Sequence, residues 1–267
     1  MLRGMYTAAG AMQALQRQQE MFSNNLANVR TPGYRADSAS LRTFPEMLIS
    51  QTAVNERTGA RMKSTVGTIA TGVYLQSATP NFALGSVTET GNKTDLQLMS
   101  DGGVPLFMVR HGDPLTGELE EEVTYSTNGQ FNVGIDGLLR TSEGDLVLGE
   151  DGQTLNVGSE DFTVRGDGQV TDADGEVVGQ LGIRVTNLPE TLERLGGSRF
   201  GATEETEFSD VNEVNVRQGF LELGNVSVEE TMAHMNAALR QFEANQKVIQ
   251  AYDRTAEKAV TEVGRLR

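Results

Sequence analysis

From Asn225 to Val263 the chain carries neither glycine nor proline, and no other feature narrows its fold as much. As one continuous helix that stretch spans roughly 58 Å at 1.5 Å per residue, far beyond the average globular helix. Its apolar residues form a seam. Val228, Met235, Phe242, Ile249, Ala256 and Val263 recur every seven residues, the spacing of a helix that packs along one stripe. Met232, Leu239 and Val260 widen the stripe, while Asn245, Gln246 and Asp253 interrupt it. Ser227-Val228-Glu229-Glu230 has the form of a capping box and predicts where the helix starts.

The other end of the chain has the same character. Met5, Met12, Gln19 and Leu26 lie seven apart, and Ala8, Leu15, Phe22 and Val29 form a second row offset by three. These are the a and d positions of a helical seam broken once, at Gln19. Thr31-Pro32-Gly33 stops the helix, because proline drives the preceding residue out of the α region and glycine permits the turn. Two amphipathic helices at opposite ends of one chain are expected to pair, with Met5, Ala8, Met12, Leu15, Phe22 and Leu26 facing Met235, Leu239, Phe242 and Ile249. Gln19 opposite Asn245 or Gln246 is a candidate for setting their register.

Between the ends the texture changes to short alternating runs broken by glycine. Phe131 to Ile135 alternates with period two, Asp136-Gly137 supplies a tight turn and Leu138-Leu139-Arg140 begins a return strand. Val73 to Leu75, Leu96 to Leu98, Leu106 to Val109, Leu146 to Leu148, Phe162 to Val164, Val177-Val178 and Ile183 to Val185 read as further strands. Phe82, Phe107, Phe131, Phe162 and Phe220 are candidate core residues. Ser50 to Lys63 is polar and without a clear period, and reads as a linker or extended arm. The expected class is α+β: long N- and C-terminal helices pairing as a coiled coil, with a central antiparallel β-rich domain. The boundaries are 1–32 and 225–267 for a terminal helical assembly domain, 33–72 for the arm and 73–224 for the β domain.

Charge is unevenly placed. The chain carries a formal net charge of −15, and the first fifty residues and the last helix together contribute none of that excess. An acidic middle repels nucleic acid and anionic membrane surfaces, so neither is an expected partner. With no Cys, disulfides, thiolate zinc sites and thiol nucleophiles are ruled out. There is no run of about 18 apolar residues to insert into a membrane. Gly4, Gly10, Gln13 and Gln16 interrupt any secretory core near the amino terminus, so export is expected to leave that terminus intact.

The motifs of common chemistry are missing. Phosphate-loop, hydrolase-elbow and zincin sequences all lack their anchor residues. The two histidines are His111, in a Gly-Asp-Pro loop context, and His234, on the last helix; neither sits in a ligand spacing. Val170 to Gly175 imitates a calcium loop, but with Gly175 at the sixth position the first and twelfth positions are Val170 and Leu181, so the first carboxylate and the bidentate glutamate are missing. A pair of acids suited to glycoside hydrolysis is always findable among 37 Asp and Glu, which leaves a cell-wall-remodelling glycosidase as an alternative without positive support. No catalytic residue, metal ligand or cofactor is expected.

The residues that remain carry a resemblance. Asn24-Asn25-Leu26-Ala27-Asn28-Val29, followed by Thr31-Pro32-Gly33-Tyr34, resembles the amino-terminal signature of the flagellar basal-body rod and hook protein family. Tyr125-Ser126, Asn128-Gly129, Phe131 and Asp136-Gly137-Leu138-Leu139 are similar to its central hairpin. Gln218-Gly219-Phe220-Leu221-Glu222, Asn225-Val226 and Phe242-Glu243-Ala244-Asn245 resemble its carboxy-terminal pattern. Coverage is nearly the whole chain. Tyr6-Thr7-Ala8, Arg35-Ala36 and Leu41-Arg42 before Phe44-Pro45 are more similar to the proximal member of the distal-rod pair, with a hook or hook-junction component as the alternative.

The resemblance implies a structural subunit, exported unfolded through the flagellar type III apparatus to the basal body outside the cytoplasmic membrane. There it would assemble with copies of itself and other axial proteins into the rod that transmits motor torque, the terminal helices forming an inner tube and the β domain an outer layer. Physics gives a reason for assembly through the ends. Fixing each residue costs about 1–2 kcal/mol of backbone entropy, which one isolated helix pair offsets poorly; neighbouring copies supply the missing apolar surface at about 25 cal/mol per Å².

Overall fold

The computed structural model describes residues 2–54, 61–100, 102–112, 119–209 and 214–264. Residues 55–60 of the expected arm, and Asp113 and Pro114 beside His111, lie outside the described residues. The chain divides into two compact units: Met1–Leu26, Asp37–Thr79 and Val228–Arg267 form the first, and Ala27–Ala36 with Pro80–Ser227 form the second. The division separates charge as well as structure. Read from the sequence, the first unit holds twelve Lys and Arg against ten Asp and Glu, and the second holds ten against twenty-seven.

In the first unit, α1 runs over Leu2–Ala27 and α2 over Val228–Gly264. Helix α2 starts one residue past Ser227, where the capping box puts it. The segment from Asp37 to Thr79 belongs with the helices and is more ordered in pattern than a linker. Leu41–Thr43 pairs antiparallel with Val73–Leu75, and Phe44 packs on Tyr74 with ring centroids 5.3 Å apart. Met47–Val54 and Arg61–Ile69 form a two-stranded antiparallel ribbon, with Met47 opposite Ile69 and one register shift between Ile49 and Ser50. Along its base Met47, Leu48 and Val66 are exposed. The described side chains at this end are exposed apart from half-buried Ile49, so the sequence shows no inside-outside alternation there from which to read a strand. Helix α1 touches this arm directly: the Thr7 hydroxyl donates to the Thr71 carbonyl at 3.1 Å.

The second unit is built on a nine-stranded sheet. Its main path runs through Phe131–Val133, Leu139–Thr141, Leu146–Val147, Val104–Gly112, Leu119–Ser126, Arg199–Ala202 and Leu192–Gly196, and Ile183–Thr186 joins Val104–Gly112 to Phe208–Ser209. Val104–Gly112 is central and buried on both faces. Phe107 and Val109 enter a core with Leu96, Phe131, Leu139 and Phe162, while Leu106 and Met108 enter another with Tyr125, Leu148 and Phe200. That is why the sequence there is a continuous apolar run and not an alternating one. Phe107 meets Phe131 edge to face at 4.9 Å, a favoured aromatic geometry. The hairpin read around Asp136-Gly137 is present, with Phe131 opposite Thr141 and Val133 opposite Leu139.

Candidate assembly surfaces

Two contacts fix how the terminal helices meet. The Phe22 ring stacks on His234 with centroids 5.7 Å apart and planes 17° from parallel. Eighteen residues earlier on α1, Gly4 lies against Tyr252, eighteen residues later on α2, so closely that a Cβ at Gly4 would collide with the phenol. The helices are therefore antiparallel, and glycine at position 4 is the notch that admits the tyrosine ring. This register corrects one expectation: Gln19 comes level with Ala237, and Asn245 lies two turns further along, about 12 Å away at 1.5 Å per residue. The Asn245 amide instead donates to the Gln241 carbonyl of its own helix at 3.0 Å.

The seam itself is less apolar than the heptads suggest. Along α2 the best-covered positions are Thr231 and Ala238, and Asn245 and Tyr252 continue the same seven-residue row. Tyr252 of this row lies against Gly4, so this row is the one turned to α1. Val228, Met235, Phe242 and Ile249 are only half-buried, and Met232 and Leu239 are 45% and 39% exposed. On α1, Ala8 and Leu15 are buried, while Met5, Met12, Phe22 and Leu26 are half-buried. Of the ten side chains read as pairing residues, Leu239 is the one turned out to solvent. The richest apolar stripe of α2 is thus left partly open.

The amino-terminal signature resolves into two local structures. In the first unit Asn25 is buried; its amide donates to the Asp37 carbonyl at 2.8 Å and its side-chain oxygen accepts the Asp37 N–H at 2.9 Å. Asn24 and Ala27 lie on the exposed side of α1. In the second unit Asn28 accepts the Thr31 hydroxyl at 3.2 Å, and the chain turns at Pro32-Gly33. Gly33 has φ +67° and lies against the Thr127 backbone, so both its handedness and its missing side chain are needed. Tyr34 is buried beneath the Arg194 guanidinium, 5.0 Å from the ring centre.

The next residue was not singled out by sequence as a partner of anything. Arg35, 2% exposed, donates to both carboxylate oxygens of Glu222 at 2.6 and 3.1 Å, and Glu222 also accepts the Gly85 N–H at 2.7 Å. Asn225 completes the junction by accepting the Ala36 N–H at 2.7 Å and donating to the Asn81 and Ala83 carbonyls at 2.7 and 2.9 Å. The amino-terminal and carboxy-terminal signatures are therefore two halves of one interlocked junction. The available signal was that both motifs contain a charge or amide beside apolar residues, but no local rule links positions 187 residues apart.

Elsewhere several titratable groups have structural partners. His111 pairs with buried Asp145, and His234 lies 3.5 Å from Glu230 on its own helix. Arg140 donates to Asp136 at 2.7 Å and holds that carboxyl below its ordinary value; burial raises the Tyr125 phenol, partly offset by Arg184. Among the described residues no group of three or more metal-ligating side chains occurs, and no helix is long and apolar enough to cross a membrane.

Comparison with known proteins finds matches at both ends of the chain. The family described as flagella basal body rod protein matches residues 5–35, and the carboxy-terminal family of flagellar basal body rod FlgEFG proteins matches residues 217–262. The chain is 36% identical to the flagellar hook-basal body complex protein FlhO of Bacillus subtilis (strain 168), with 100% of each chain covered. It is 30% identical to the flagellar basal-body rod protein FlgF of Salmonella typhimurium (strain LT2), covering 95% of each. The corresponding figures for FlgG of Bacillus subtilis (strain 168) are 27% identity and 97% and 98% coverage. With full-length likeness at this level and both terminal signatures in place, the chain belongs to the flagellar basal-body rod protein family, a family of structural proteins.

Proposed function

We propose that this protein is a self-assembling subunit of the flagellar rod, joined to its neighbours through the first unit and transmitting torque along the axis. The observation that carries the reading is the half-open stripe on α2: the antiparallel pair turns the row of Thr231, Ala238 and Tyr252 inward and leaves Met232, Met235, Leu239 and Phe242 for other chains. Copies of the same chain and other axial proteins are the partners. The basal body outside the cytoplasmic membrane is the place, reached by the flagellar export apparatus without loss of the amino terminus. The likeness to FlgF and FlgG supports a distal-rod position. The name of the Bacillus relative FlhO supports a second reading, a component on the hook side.

The test is composition and motility. In cells lacking the native gene, the wild-type chain restores swimming and is recovered in purified basal bodies. Phe242→Asp places a charge on the half-buried stripe, abolishes both, and leaves the second unit folded by calorimetry. A motile Phe242→Asp strain overturns the reading. Labelled chain found only at the hook end selects the second one. The role assigned is structural, and turbidity clearing of cell-wall polymer by the purified chain would overturn that part.

A further inference from the structure

Two unlike apolar surfaces occur in the first unit. One is convex: Met232 and Leu239 stand exposed beside half-buried Met235 and Phe242 on α2. The other is concave. Between the first turns of α1 and the arm lies a cleft of about 490 Å³, lined by Arg3, Tyr6 and Thr7 on one side and Phe44, Ile69 and Thr71 on the other. Tyr6 is 69% and Phe44 43% exposed, and Met47 and Leu48 extend the apolar surface beyond it.

Charge matches the two. Glu229, three residues before Met232, and Glu243, four after Leu239, neighbour the stripe on the helix surface; Arg3 lines the cleft, with Arg42 two residues before Phe44 and Glu46 two residues after it. Approach of a second copy is also cheapest here, since the first unit is nearly neutral while second units, each with an excess of seventeen acids, repel one another.

Resting on the rod-subunit reading, we propose that the Met232–Leu239 stripe of one copy docks into the Tyr6–Phe44 cleft of the next. Contact between two different surfaces of the same chain is heterologous, and unless the rotation closes a ring it repeats as an open helical lattice. The flexible methionines suit it, because unbranched side chains fill an irregular cleft.

The protein has no native Cys, so crosslinks are unambiguous. Cells co-expressing Phe44→Cys and Leu239→Cys chains, at positions 43% and 39% exposed, are oxidised and their basal bodies purified. The expected result is a mixed disulfide dimer well above that given by either variant paired with Ile135→Cys, whose position is fully exposed in the second unit. Leu239→Cys homodimers in excess, meaning stripe against stripe, overturn the proposal, as does a mixed dimer no stronger than the Ile135→Cys control. Both variants present in basal bodies without the link sinks the docking alone; their absence, with wild-type chain also absent, sinks the rod reading itself. In the same assay Leu239→Ser lowers incorporation by about threefold to eightfold, the ratio given by losing roughly two fifths of a leucine's burial free energy.

Discussion

Replacing Glu222 by Gln keeps the size of the side chain and removes the charge that Arg35 requires. The carboxylate accepts three hydrogen bonds, two from the guanidinium and one from the Gly85 N–H. An amide offers one acceptor oxygen and an NH₂ that faces donors. Arg35 stays in place because its stem and head are 98% covered, so the variant holds an uncompensated buried cation. Removing one partner of such a pair costs about 3–5 kcal/mol. At about 2–4 °C per kcal/mol for a unit of this size, the second unit melts about 6–20 °C lower. Scanning calorimetry of the whole chain reads this, with Asp161→Asn as the comparison. Its partner Lys93 is exposed and the pair lies at 3.1 Å on the surface, where such bridges contribute about 1 kcal/mol or less. The double variant Arg35→Met with Glu222→Leu removes both charges and recovers most of the loss. A Glu222→Gln melting point close to wild type, or a double variant no better than the single one, refutes the claim that this ion pair clamps the junction.

Gly33→Ala puts a Cβ against the Thr127 backbone at a positive φ and destabilises the second unit by at least about 1–2 kcal/mol, read by urea unfolding. Phe22→Ala removes the ring stacked on His234 and loosens the helix pair by about 1–3 kcal/mol, visible as lost ellipticity at 222 nm. Asp136 has a depressed folded pKa, so the stabilisation from Arg140 is present above the ordinary aspartate pKa and is lost as pH falls through the lower folded value. In an NMR titration Arg140→Met raises the carboxyl toward its ordinary aspartate value. Tyr125 has a raised folded pKa, so its contribution is full below the ordinary tyrosine value and is lost as pH rises through the folded one; a Tyr125 phenol titrating at or below about 10 contradicts its burial.

The helices were legible because a seven-residue apolar period survives any choice of partner. Which row faces inward was not. Hydrophobicity ranks Phe242 and Leu239 above Thr231 and Ala238, yet the row turned to α1 is that of Thr231, Ala238 and Tyr252, and notches such as Gly4 are visible only once the register is known. The Asp136-Gly137 hairpin was legible because its turn chemistry is local. The ribbon from Met47 to Ile69 was not, since its described end, with Met47, Leu48 and Val66 all exposed, has no alternation of burial to write into sequence. The junction was recognisable as two motifs, but its physical content, a buried Arg35 met by Glu222 and an Asn225 bridging three backbone groups, depends on a pairing across nearly the whole chain.

The central claim is that the first unit gains its rigidity from neighbouring copies. Amide exchange of the isolated chain and of purified rods tests it most directly. Amides within Leu2–Ala27 and Val228–Gly264 are expected to become strongly protected on assembly, while those of the second unit's sheet exchange alike in both states. Equal protection of the helices before and after assembly, or a gain confined to the sheet, contradicts the account.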